Sequence, residues 1–425
     1  MLDIKLFRNN PELIKENLKK KFQEEKIKFV DEVIFLDKKL RILIQESESM
    51  RNERNTLSIQ ISEFKKNKKD VSQLLKKAKN IPDKISQIEK DMDKIKNRIN
   101  ELLLVIPNII DKSVPIGRNS KDNIEIEKIG EPVNPKFKIK NHAELITELG
   151  LADFESSARI SGNGFYFLKG KLAQLNMALI NFARDFMIGK GYTYVEPPLL
   201  IRKDVLSGVF SSVDIEQMSY FIEGEDLTLI ATSEHPIVGC FKDQLINEKD
   251  LPIKITSYSM CFRKEVGSHG IDQRGLFRTH QFNKQEMVIL CKPEDSQNYF
   301  NEMISLSKEL FKKLEIPVRI LEICSGDLGD LKAKSVDVEA WSPKLKTYFE
   351  IGSCSNLTDA QARRLNIRSK GKVGNYYVHT LNNTVIATSR VLIAIIENYQ
   401  TEDGELRIPS ALVPYMNGIK KISKK

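Results

Sequence analysis

The sequence lacks several patterns that would place it in a specialised class of protein. Its five cysteines lie far apart, at Cys240, Cys261, Cys291, Cys324 and Cys354. Because no C-x-x-C pair occurs among them, they exclude a disulfide framework and a zinc knuckle and indicate reduced thiols. No apolar core of signal-peptide length follows Met1, and the longest apolar stretches, such as 101–110, are too short to span a bilayer. We therefore expect a soluble, cytoplasmic protein.

The two common glycine-rich nucleotide patterns are also missing. Neither G-x-x-x-x-G-K-[ST] nor G-x-G-x-x-G occurs, so any nucleotide site is neither a P-loop nor a Rossmann turn. At 425 residues the chain is long for one hydrophobic core, and we expect two domains. An apolar content of 41% excludes wholesale disorder. The net charge of +9 permits a polyanionic partner without requiring one.

Two stretches carry a heptad-like pattern of apolar residues. In 33–64 and again in 71–102, apolar positions recur at alternating steps of three and four residues. A 3.5-residue repeat gives a helix one narrow apolar stripe, which is typical of a coiled coil. The polar residues 65–70 then predict the turn of an antiparallel helical hairpin. Pro82 conflicts with an unbroken second helix unless it begins that helix, with Asn80 near the cap.

This predicted arm is more basic than the rest of the chain. Residues 26–101 contain 19 Lys and Arg against 13 Asp and Glu, a net charge of +6. Seven lysines lie at or just after the predicted tip: Lys65, Lys66, Lys68, Lys69, Lys76, Lys77 and Lys79. The charge alone fits a solvated coiled-coil surface and an arm that contacts nucleic-acid phosphates about equally well.

The rest of the chain divides into a linker and a larger domain. Residues 107–140 are rich in Pro, Asn, Asp and Gly without periodicity, which predicts a linker. Beyond them, strand-like runs often follow one another with no helix between, which favours an antiparallel α+β sheet over a doubly wound one. Strands are expected at 253–262, 285–291, 318–324, 336–342 and 347–353.

Residues 261–290 combine charged and aromatic side chains in a pattern suited to a nucleotide. Three arginines lie in or near a glycine-bearing loop: Arg263, Arg274 and Arg278. Arg263 and Glu265 are two residues apart, so they share one face of a strand. Phe282, Lys284 and Glu286 share a face in the same way. A guanidinium suits a phosphate, an aromatic ring suits a base, and a carboxylate suits an ammonium. Singly, Phe282 also fits a core residue and Glu286 a surface ion pair.

The same segment resembles a known family. The pattern F-R-x-E followed by R-G-L-x-R-x-H-Q-F-x-K-x-E resembles the second signature motif of class II aminoacyl-tRNA synthetases, in its seryl version. Further matches lie at 231–236, 337–364 and 379–400, and 192–200 resembles the dimer-forming first motif. The resemblance covers about 1–417 and is to the bacterial-type seryl-tRNA synthetases.

The resemblance implies a fold, a domain plan and a reaction. It implies an antiparallel class II sheet flanked by helices and an N-terminal antiparallel two-helix coiled-coil arm. The domains would be a tRNA-binding domain at 1–106 with the arm at about 30–102, a linker at 107–140 and a catalytic domain at 141–425. The enzyme would attach L-serine to tRNA(Ser) through a seryl-adenylate, with tRNA(Sec) as a further candidate substrate. It would use ATP and Mg²⁺ and form a homodimer, and the seven tip lysines would hold tRNA.

The resemblance also implies roles for individual residues. Arg263 and Arg390 would be catalytic, with Arg263 on the α-phosphate and Arg390 on the γ-phosphate. ATP would be bound by Arg263, Lys264, Glu265, Arg278, Phe282, Glu350, Ile351, Gly352, Ser353 and Arg390. Mg²⁺ would be held by Glu350 and Ser353. Serine would be bound by Thr232, Ser233, Glu234, Glu286 and Thr384, with Thr232 and Glu234 on one strand face.

Some positions depart from the family pattern. Gly352 stands where the family has serine, and 382-NNT-384 replaces N-G-S, so Asn383 and Thr384 put the shape of the serine pocket in doubt. In the loop, Lys264, Val266 and His269 also differ. Two other classes of function remain open: a relative that activates an amino acid for a carrier protein, and a coiled-coil binding protein without catalysis.

Overall fold

The computed structural model describes residues 1–265, 275–372 and 374–424. It divides into two compact units: residues 2–107 form one, and Met1 with residues 108–425 forms the other. Among the described residues, no helix combines the length and the apolar character needed to cross a bilayer.

The smaller unit is entirely helical. Its elements are α1 (Ile4–Asn9), α2 (Pro11–Lys20), a 3₁₀ turn (Glu24–Lys26), α3 (Ile27–Lys66), α4 (Ser72–Lys79) and α5 (Ile81–Val105). The 40-residue α3 and the 25-residue α5 run antiparallel, as ion pairs from Arg51 to Glu89 and from Arg98 to Glu32 show. The predicted antiparallel two-helix arm is therefore present.

Apolar side chains of the predicted stripe lie between these helices. Leu57 of α3 packs with Ile81 and Ile85 of α5 in one buried cluster, and further buried stripe positions follow along α5. Arg54 and Phe64, which the repeat also placed in the seam, are exposed. A charged side chain can reach water from such a position more cheaply than it can be buried, so the apolar stripe is interrupted there.

The second helix of the arm is broken near the tip. It consists of the short α4 and the longer α5, and Asn80 lies between them as the cap of α5. Pro82 lies in the first turn of α5, where a missing backbone N–H costs no hydrogen bond because that donor has no partner within the helix. Of the two interpretations of Pro82, the structure therefore confirms that it begins the second helix.

The larger unit is built on an eight-stranded sheet in the order β1-β10-β11-β12-β15-β9-β8-β4. Its strands are β1 (Ile124–Ile129), β2 (Ala152–Asp153), β3 (Phe167–Leu168), β4 (Thr193–Val195), β5 (Leu200–Arg202), β6 (Leu227–Leu229), β7 (Leu245–Asn247), β8 (Ile253–Phe262), β9 (Gln281–Cys291), β10 (Val318–Glu322), β11 (Lys334–Ser342), β12 (Thr347–Asn356), β13 (Arg368–Gly371), β14 (Gly374–Tyr377), β15 (His379–Ala387), β16 (Leu406–Arg407) and β17 (Lys421–Ile422). Among the described residues of the eight-stranded sheet, β4–β8 is the one parallel pair and the other six pairs are antiparallel. This confirms the α+β class and the mostly antiparallel sheet.

Helices cover this sheet. They are α6 (His142–Glu148), α7 (Phe154–Ser161), α8 (Gly170–Gly189), α9 (Lys203–Val209), α10 (Ser212–Met218), α11 (Glu234–Gly239), α12 (Ser296–Lys313), α13 (Ala360–Arg364) and α14 (Thr388–Tyr399). Short 3₁₀ turns occur at Ser120–Asp122, Glu248–Asp250, Pro293–Asp295, Ser410–Leu412 and Pro414–Met416. Apolar residues of α8, α12 and α14 form one continuous core with the inner face of the central strands.

The region expected to be a linker has a different structure. Residues 108–140 belong to the larger unit, and β1 pairs with β10 as an edge strand of the sheet. The strand escaped the sequence pattern because its residues are exposed or only partly buried, so it carries no buried apolar run.

The position of Pro82 leads to a test of the arm. Pro82→Ala should change stability by less than about 1 kcal/mol, because the first turn of a helix needs no donor at that position. Ile88→Pro, in the interior of α5, should cost about 3 kcal/mol or more and reduce the helical signal. Thermal unfolding followed by circular dichroism at 222 nm would compare both variants with the original chain. Similar losses for the two variants would contradict the assignment of Pro82 to the first turn.

Candidate active site

The candidate site is a cleft on one face of the large sheet, across the neighbouring strands β12, β15 and β9 and the end of β8. Its lining residues are Arg263, Glu265, Phe277, Arg278, Thr279, Phe282, Lys284, Glu350, Ile351, Gly352, Ser353, Thr384, Ala387, Ser389 and Arg390. The ladder between β12 and β15 runs from Asn356↔Leu381 to Cys354↔Asn383, and the lining residues of both strands lie beyond its last pair.

One wall of the cleft is formed by the ends of β8 and β9. Arg263 directly follows β8, and its guanidinium carbon lies 5.2 Å from the centre of the Phe282 ring on β9. Arg278 lies 3.7 Å from the carboxylate of Glu265. Glu265 has a positive φ of 50°, which is uncommon for a residue with a side chain and occurs often at functional sites. This wall offers one aromatic face and two guanidinium groups.

The opposite wall carries an ion pair. Arg390, in the first turn of α14, donates from Nη1 to the Oε2 of Glu350 at 2.9 Å and to its backbone oxygen at 3.0 Å. The guanidinium also lies 5.5 Å from the centre of the Phe277 ring. Burial opposes ionisation of Glu350, but the charge and hydrogen bond of Arg390, together with the charges of Lys332 and Arg263, lower the pKa of this carboxyl. The wall therefore presents a cation whose position is set by a carboxylate and a ring.

Lys284, which lines the cleft, connects it to a buried polar floor beneath the lining, formed by Glu286 and Thr232. Glu286 is 1% exposed, and one of its oxygens accepts a hydrogen bond from the Thr232 hydroxyl at 3.1 Å and pairs with the ammonium of Lys284. Its other oxygen is buried without a hydrogen-bond partner among the described residues. Burial lowers the pKa of Lys284 to about 8. A buried carboxylate with an unused oxygen is a ready acceptor for a ligand ammonium.

Two residues expected to bind serine have other positions. The Ser233 hydroxyl donates to the backbone oxygen of Ser257 on β8 at 3.1 Å and is fully buried, away from the cleft. Glu234 begins the short helix α11, so it does not share a strand face with Thr232. Its carboxylate accepts from the Gln361 amide at 2.7 Å, and burial raises its pKa. The expected strand is absent because the chain turns at 231–233.

Of the described residues expected to contact ATP, all but Lys264, in the loop after β8, line the cleft. Lys264 is directed away from the cleft, and its ammonium lies over the rings of Tyr220 and Phe221 at 5.8 and 5.5 Å. Val266, His269 and Arg274 lie outside the described residues.

The two residues of β15 that differ from the family pattern, Asn383 and Thr384, point in different directions. Asn383 is fully buried, and its amide donates to the Met303 backbone oxygen at 3.0 Å and to the Ser307 hydroxyl at 2.8 Å, both on α12. Thr384, the next residue, faces the cleft. Because successive side chains of a strand point to opposite faces, only one of the two can shape the pocket. Of the two residues that put the pocket shape in doubt, Thr384 therefore lines the cleft and Asn383 is directed to α12.

Five lining residues were not among the predicted site residues. They are Phe277, Thr279, Lys284, Ala387 and Ser389. The shared face of Phe282, Lys284 and Glu286 was visible in the sequence and could have placed Lys284 in the site. The other four line the cleft from positions at or next to the ends of β9 and β15. The sequence has no periodic pattern there that would have predicted their place in the site.

The seven tip lysines belong to the smaller unit. Lys65 and Lys66 end α3, Lys68 and Lys69 lie in the turn, and α4 contains the other three, Lys76, Lys77 and Lys79. All seven are exposed. An ion pair to any of them is absent from the described residues, so their charge remains available to a partner.

The chain matches two family models. Residues 219–399 match the class II tRNA synthetase core domain of the glycine, histidine, proline, serine and threonine enzymes. Residues 1–110 match the seryl-tRNA synthetase N-terminal domain. The fold and the cleft thus define a class II aminoacyl-tRNA synthetase.

The full-length relatives within this class are all named as synthetases for serine. A serine–tRNA ligase from Methanocella arvoryzae is 44% identical over 99% of this chain and 99% of its own length. The crystal structure of seryl-tRNA synthetase from Pyrococcus horikoshii, complexed with ATP, has a TM-score of 0.95 at 42% identity and covers both chains completely. A cytoplasmic serine–tRNA ligase from Naegleria fowleri, in complex with AMP, has a TM-score of 0.89 at 34% identity, covering 100% of this chain and 99% of its own. This chain belongs to the seryl-tRNA synthetase family.

The position of Asn383 predicts a loss of stability without a change of the pocket. Asn383→Ala removes two hydrogen bonds to α12 and leaves the Ser307 hydroxyl without its donor, which should cost about 1–3 kcal/mol. The KM for serine should stay within about twofold, because the amide does not face the cleft. Thermal unfolding and serine-dependent ATP–pyrophosphate exchange would measure the two effects. A large rise in KM with unchanged stability would contradict the assigned orientation.

Proposed function

We propose that this chain is a serine–tRNA ligase that joins L-serine to tRNA(Ser) in two steps. The serine carboxylate attacks the α-phosphate of ATP, the seryl-adenylate forms, and pyrophosphate leaves. The acyl group then passes to the terminal ribose of the tRNA. Full-length relatives that carry this activity in their names support the proposal. The observation that carries it is the cleft on the face of the large sheet, which brings Arg263, Phe282 and Arg390 together.

ATP would bind across the two walls of the cleft. The ATP complex of the Pyrococcus horikoshii relative supports a nucleotide in this fold. Phe282 would stack on the adenine, and Arg263 would contact the α-phosphate, where negative charge grows as the carboxylate attacks. Arg390 would reach the γ-phosphate after exchanging Glu350 for it, since both are acceptors for one guanidinium. Glu265 and Arg278 would contact the nucleotide from the loop side.

Serine would bind at the buried floor. Glu286 would accept the ammonium group, because one of its oxygens has no hydrogen-bond partner among the described residues. Thr232 and Thr384 would meet the carboxylate and the hydroxyl. Glu234 would contribute to serine binding from beneath the cleft, with its carboxylate held by a hydrogen bond from the Gln361 amide. A site built to bond the hydroxyl rejects alanine strongly, since its own polar groups would be left unpaired.

Mg²⁺ would be held by Glu350 and Ser353 together with phosphate oxygens of ATP. The donor set fits the ion, which prefers carboxylate and hydroxyl oxygens and completes its shell with phosphate and water. Both residues line the cleft, and the lowered pKa of Glu350 keeps its carboxylate ionised. The ion would neutralise phosphate charge, while the protein groups orient the nucleotide.

The smaller unit, residues 2–107, would bind the tRNA. Its match to the seryl-type N-terminal domain supports this, and its seven tip lysines would contact phosphates. A relative that serves a carrier protein is disfavoured, because such proteins lack this arm. Serylation of tRNA(Sec), a homodimer formed through the segment 192–200 and a cytoplasmic location belong to the same proposal. The bacterial-type subgroup expected from the motifs is not part of it, since the relatives from Methanocella and Pyrococcus are archaeal.

The first test is ATP–pyrophosphate exchange with serine, threonine, alanine and cysteine offered separately. We expect exchange with serine and rates lower by orders of magnitude with alanine, because the hydroxyl acceptors would be unpaired. Arg263→Ala should reduce the serine-dependent rate by about 100-fold or more, since the arginine acts on charge that develops in the transition state. Absence of serine-dependent exchange in the original chain would overturn the proposed function.

A second test separates the arm from the cleft. Replacing Lys65, Lys66, Lys68 and Lys69 by glutamine should leave pyrophosphate exchange unchanged and lower kcat/KM for tRNA charging. The dependence of KM on salt should also weaken, because fewer counterions are released on binding.

The matched control replaces four arm lysines away from the tip, Lys38, Lys39, Lys90 and Lys94, and so removes the same charge. We expect a clearly smaller effect on charging from this control. Equal effects of the two sets would indicate a general electrostatic contribution and contradict a specific role of the tip.

A further inference from the structure

A buried histidine holds the segment that carries Phe277 and Arg278 into the cleft. The Nε2 atom of His142, the first residue of α6, accepts a hydrogen bond from the backbone N–H of Leu276 at 3.1 Å. Leu276 is fully buried in the main core, and the two residues after it line the cleft. His142 therefore contacts the backbone directly behind one wall of the cleft.

A neighbouring glycine makes this close approach possible. Gly275 has a φ of +77°, and a Cβ atom on it would lie 2.3 Å from Nε2 of His142 and 3.0 Å from the Cβ of Ala143. Atoms in ordinary contact are about 3.5–4.0 Å apart, so a side chain at 275 would push the histidine ring away from the N–H of Leu276. Glycine keeps this stretch of backbone within hydrogen-bond distance of the ring.

The other ring nitrogen of His142 faces a buried carboxylate. Because Nε2 accepts a hydrogen bond, the proton of the neutral imidazole lies on Nδ1. Nδ1 is 3.7 Å from Oε1 of Glu397 on α14, and the other oxygen of Glu397 accepts a hydrogen bond from the Ser342 hydroxyl. The negative charge of Glu397, which is buried, favours the tautomer with its proton on Nδ1. Glu397 thus keeps Nε2 available as an acceptor.

The same helix holds the wall at a second point. Arg390, seven residues before Glu397 on α14, donates from Nε to the backbone oxygen of Phe277 at 3.4 Å. Residues seven positions apart lie two turns apart on one face of a helix. The N–H of Leu276 and the carbonyl of Phe277 are therefore both tied to one face of α14, the first through His142 and Glu397 and the second through Arg390.

Open space on two sides of Phe277 makes its position depend on these hydrogen bonds. Phe277 lines the cleft and also a separate cavity of about 640 Å³, which His142, Phe349 and Glu397 border. The rings of Phe277 and Phe349 are in contact, with their centres 5.6 Å apart. A side chain with space on two sides has fewer packing contacts, so the hydrogen bonds of the adjoining backbone contribute more to holding it.

From this geometry we propose that His142 is a positioning residue for the binding of ATP. Through the N–H of Leu276 it sets the place of Phe277 and Arg278 in the wall, and Glu397 keeps its ring in the accepting tautomer. The residue acts from behind the wall, through the backbone, and needs no contact with the nucleotide. This inference rests on the proposed function, because it takes ATP as the ligand of the cleft.

Calorimetric titration with ATP and pyrophosphate exchange together test the proposal. His142→Ala leaves the buried N–H of Leu276 without its acceptor and should raise the Kd and the KM for ATP by about tenfold. The KM for serine should stay within about twofold, because Glu286 and Thr232 are held by their own contacts beneath the cleft. His142→Gln should recover most of the ATP affinity, since its amide oxygen can accept near the position of Nε2.

A double-mutant cycle tests the part assigned to Glu397. Glu397→Ala should raise the Kd for ATP by a few-fold, because the histidine ring loses the charge that selects its tautomer. In the presence of His142→Ala the same change should add less than about twofold, since Glu397 acts through the histidine. Effects that multiply would contradict this chain of contacts.

The control is His379→Ala, which removes the same ring from a histidine at the start of β15, where Nδ1 lies 3.0 Å from the Ser296 hydroxyl. It should leave the Kd for ATP within about twofold. An unchanged Kd for ATP in His142→Ala, equal rises in the KM for ATP and for serine, or no recovery in His142→Gln would overturn the proposal.

Thermal unfolding of the same variants separates a loss of stability from a loss of affinity. Gly275→Ala keeps the histidine but displaces its ring, so it should also raise the Kd for ATP, and it serves if His142→Ala does not fold. If the original chain binds ATP but shows no serine-dependent exchange, the proposed function fails, while the calorimetric titrations still decide the role of His142.

Discussion

The site depends on where the hydrogen-bonded ladder between β12 and β15 ends. It ends at the pair Cys354↔Asn383, and both strands contain register irregularities close to that point. Such irregularities change the direction of side chains relative to a regular ladder. Beyond the last pair, β12 contributes Glu350 and Ser353 to the cleft, and β15 leads directly into α14 with Arg390. The core beneath the sheet is continuous.

The cleft holds its charges in place before any ligand arrives. Glu286, Lys284 and Thr232 are buried together, and Glu350 fixes Arg390. Burying charge is costly unless the group is paired, so these contacts offset the cost of placing Glu286 and Lys284 beneath the cleft. Groups that are already oriented need little reorganisation during the reaction, and this is how such sites stabilise developing charge. The same pairs are the ones that substrate groups would replace.

Much of the architecture could be predicted from the sequence, because periodicity reports directly on burial. The heptad spacing revealed both arm helices, and the density of strand-like runs indicated an antiparallel sheet. Individual site residues were harder. Ser233, Lys264 and Asn383 each sit beside a residue that does line or underlie the cleft, yet their side chains point elsewhere. Motif matching identifies the segment that contributes to the site. Which side chains of that segment point to the cleft depends on the turn at 231–233 and on the alternation along β15. The edge strand β1 could not be predicted, because none of its residues is fully buried and it therefore has no buried apolar run.

The close approach of Gly352 to Thr384 limits which residues these two strands can carry. A Cβ atom on Gly352 would lie 3.0 Å from the Cβ of Thr384, closer than ordinary carbon contacts of about 3.5–4.0 Å. Serine at 384 would not relieve this contact, because serine keeps the same Cβ. A side chain at 352 would therefore require β12 or β15 to move by a few tenths of an ångström, and with them the residues that both strands present to the cleft.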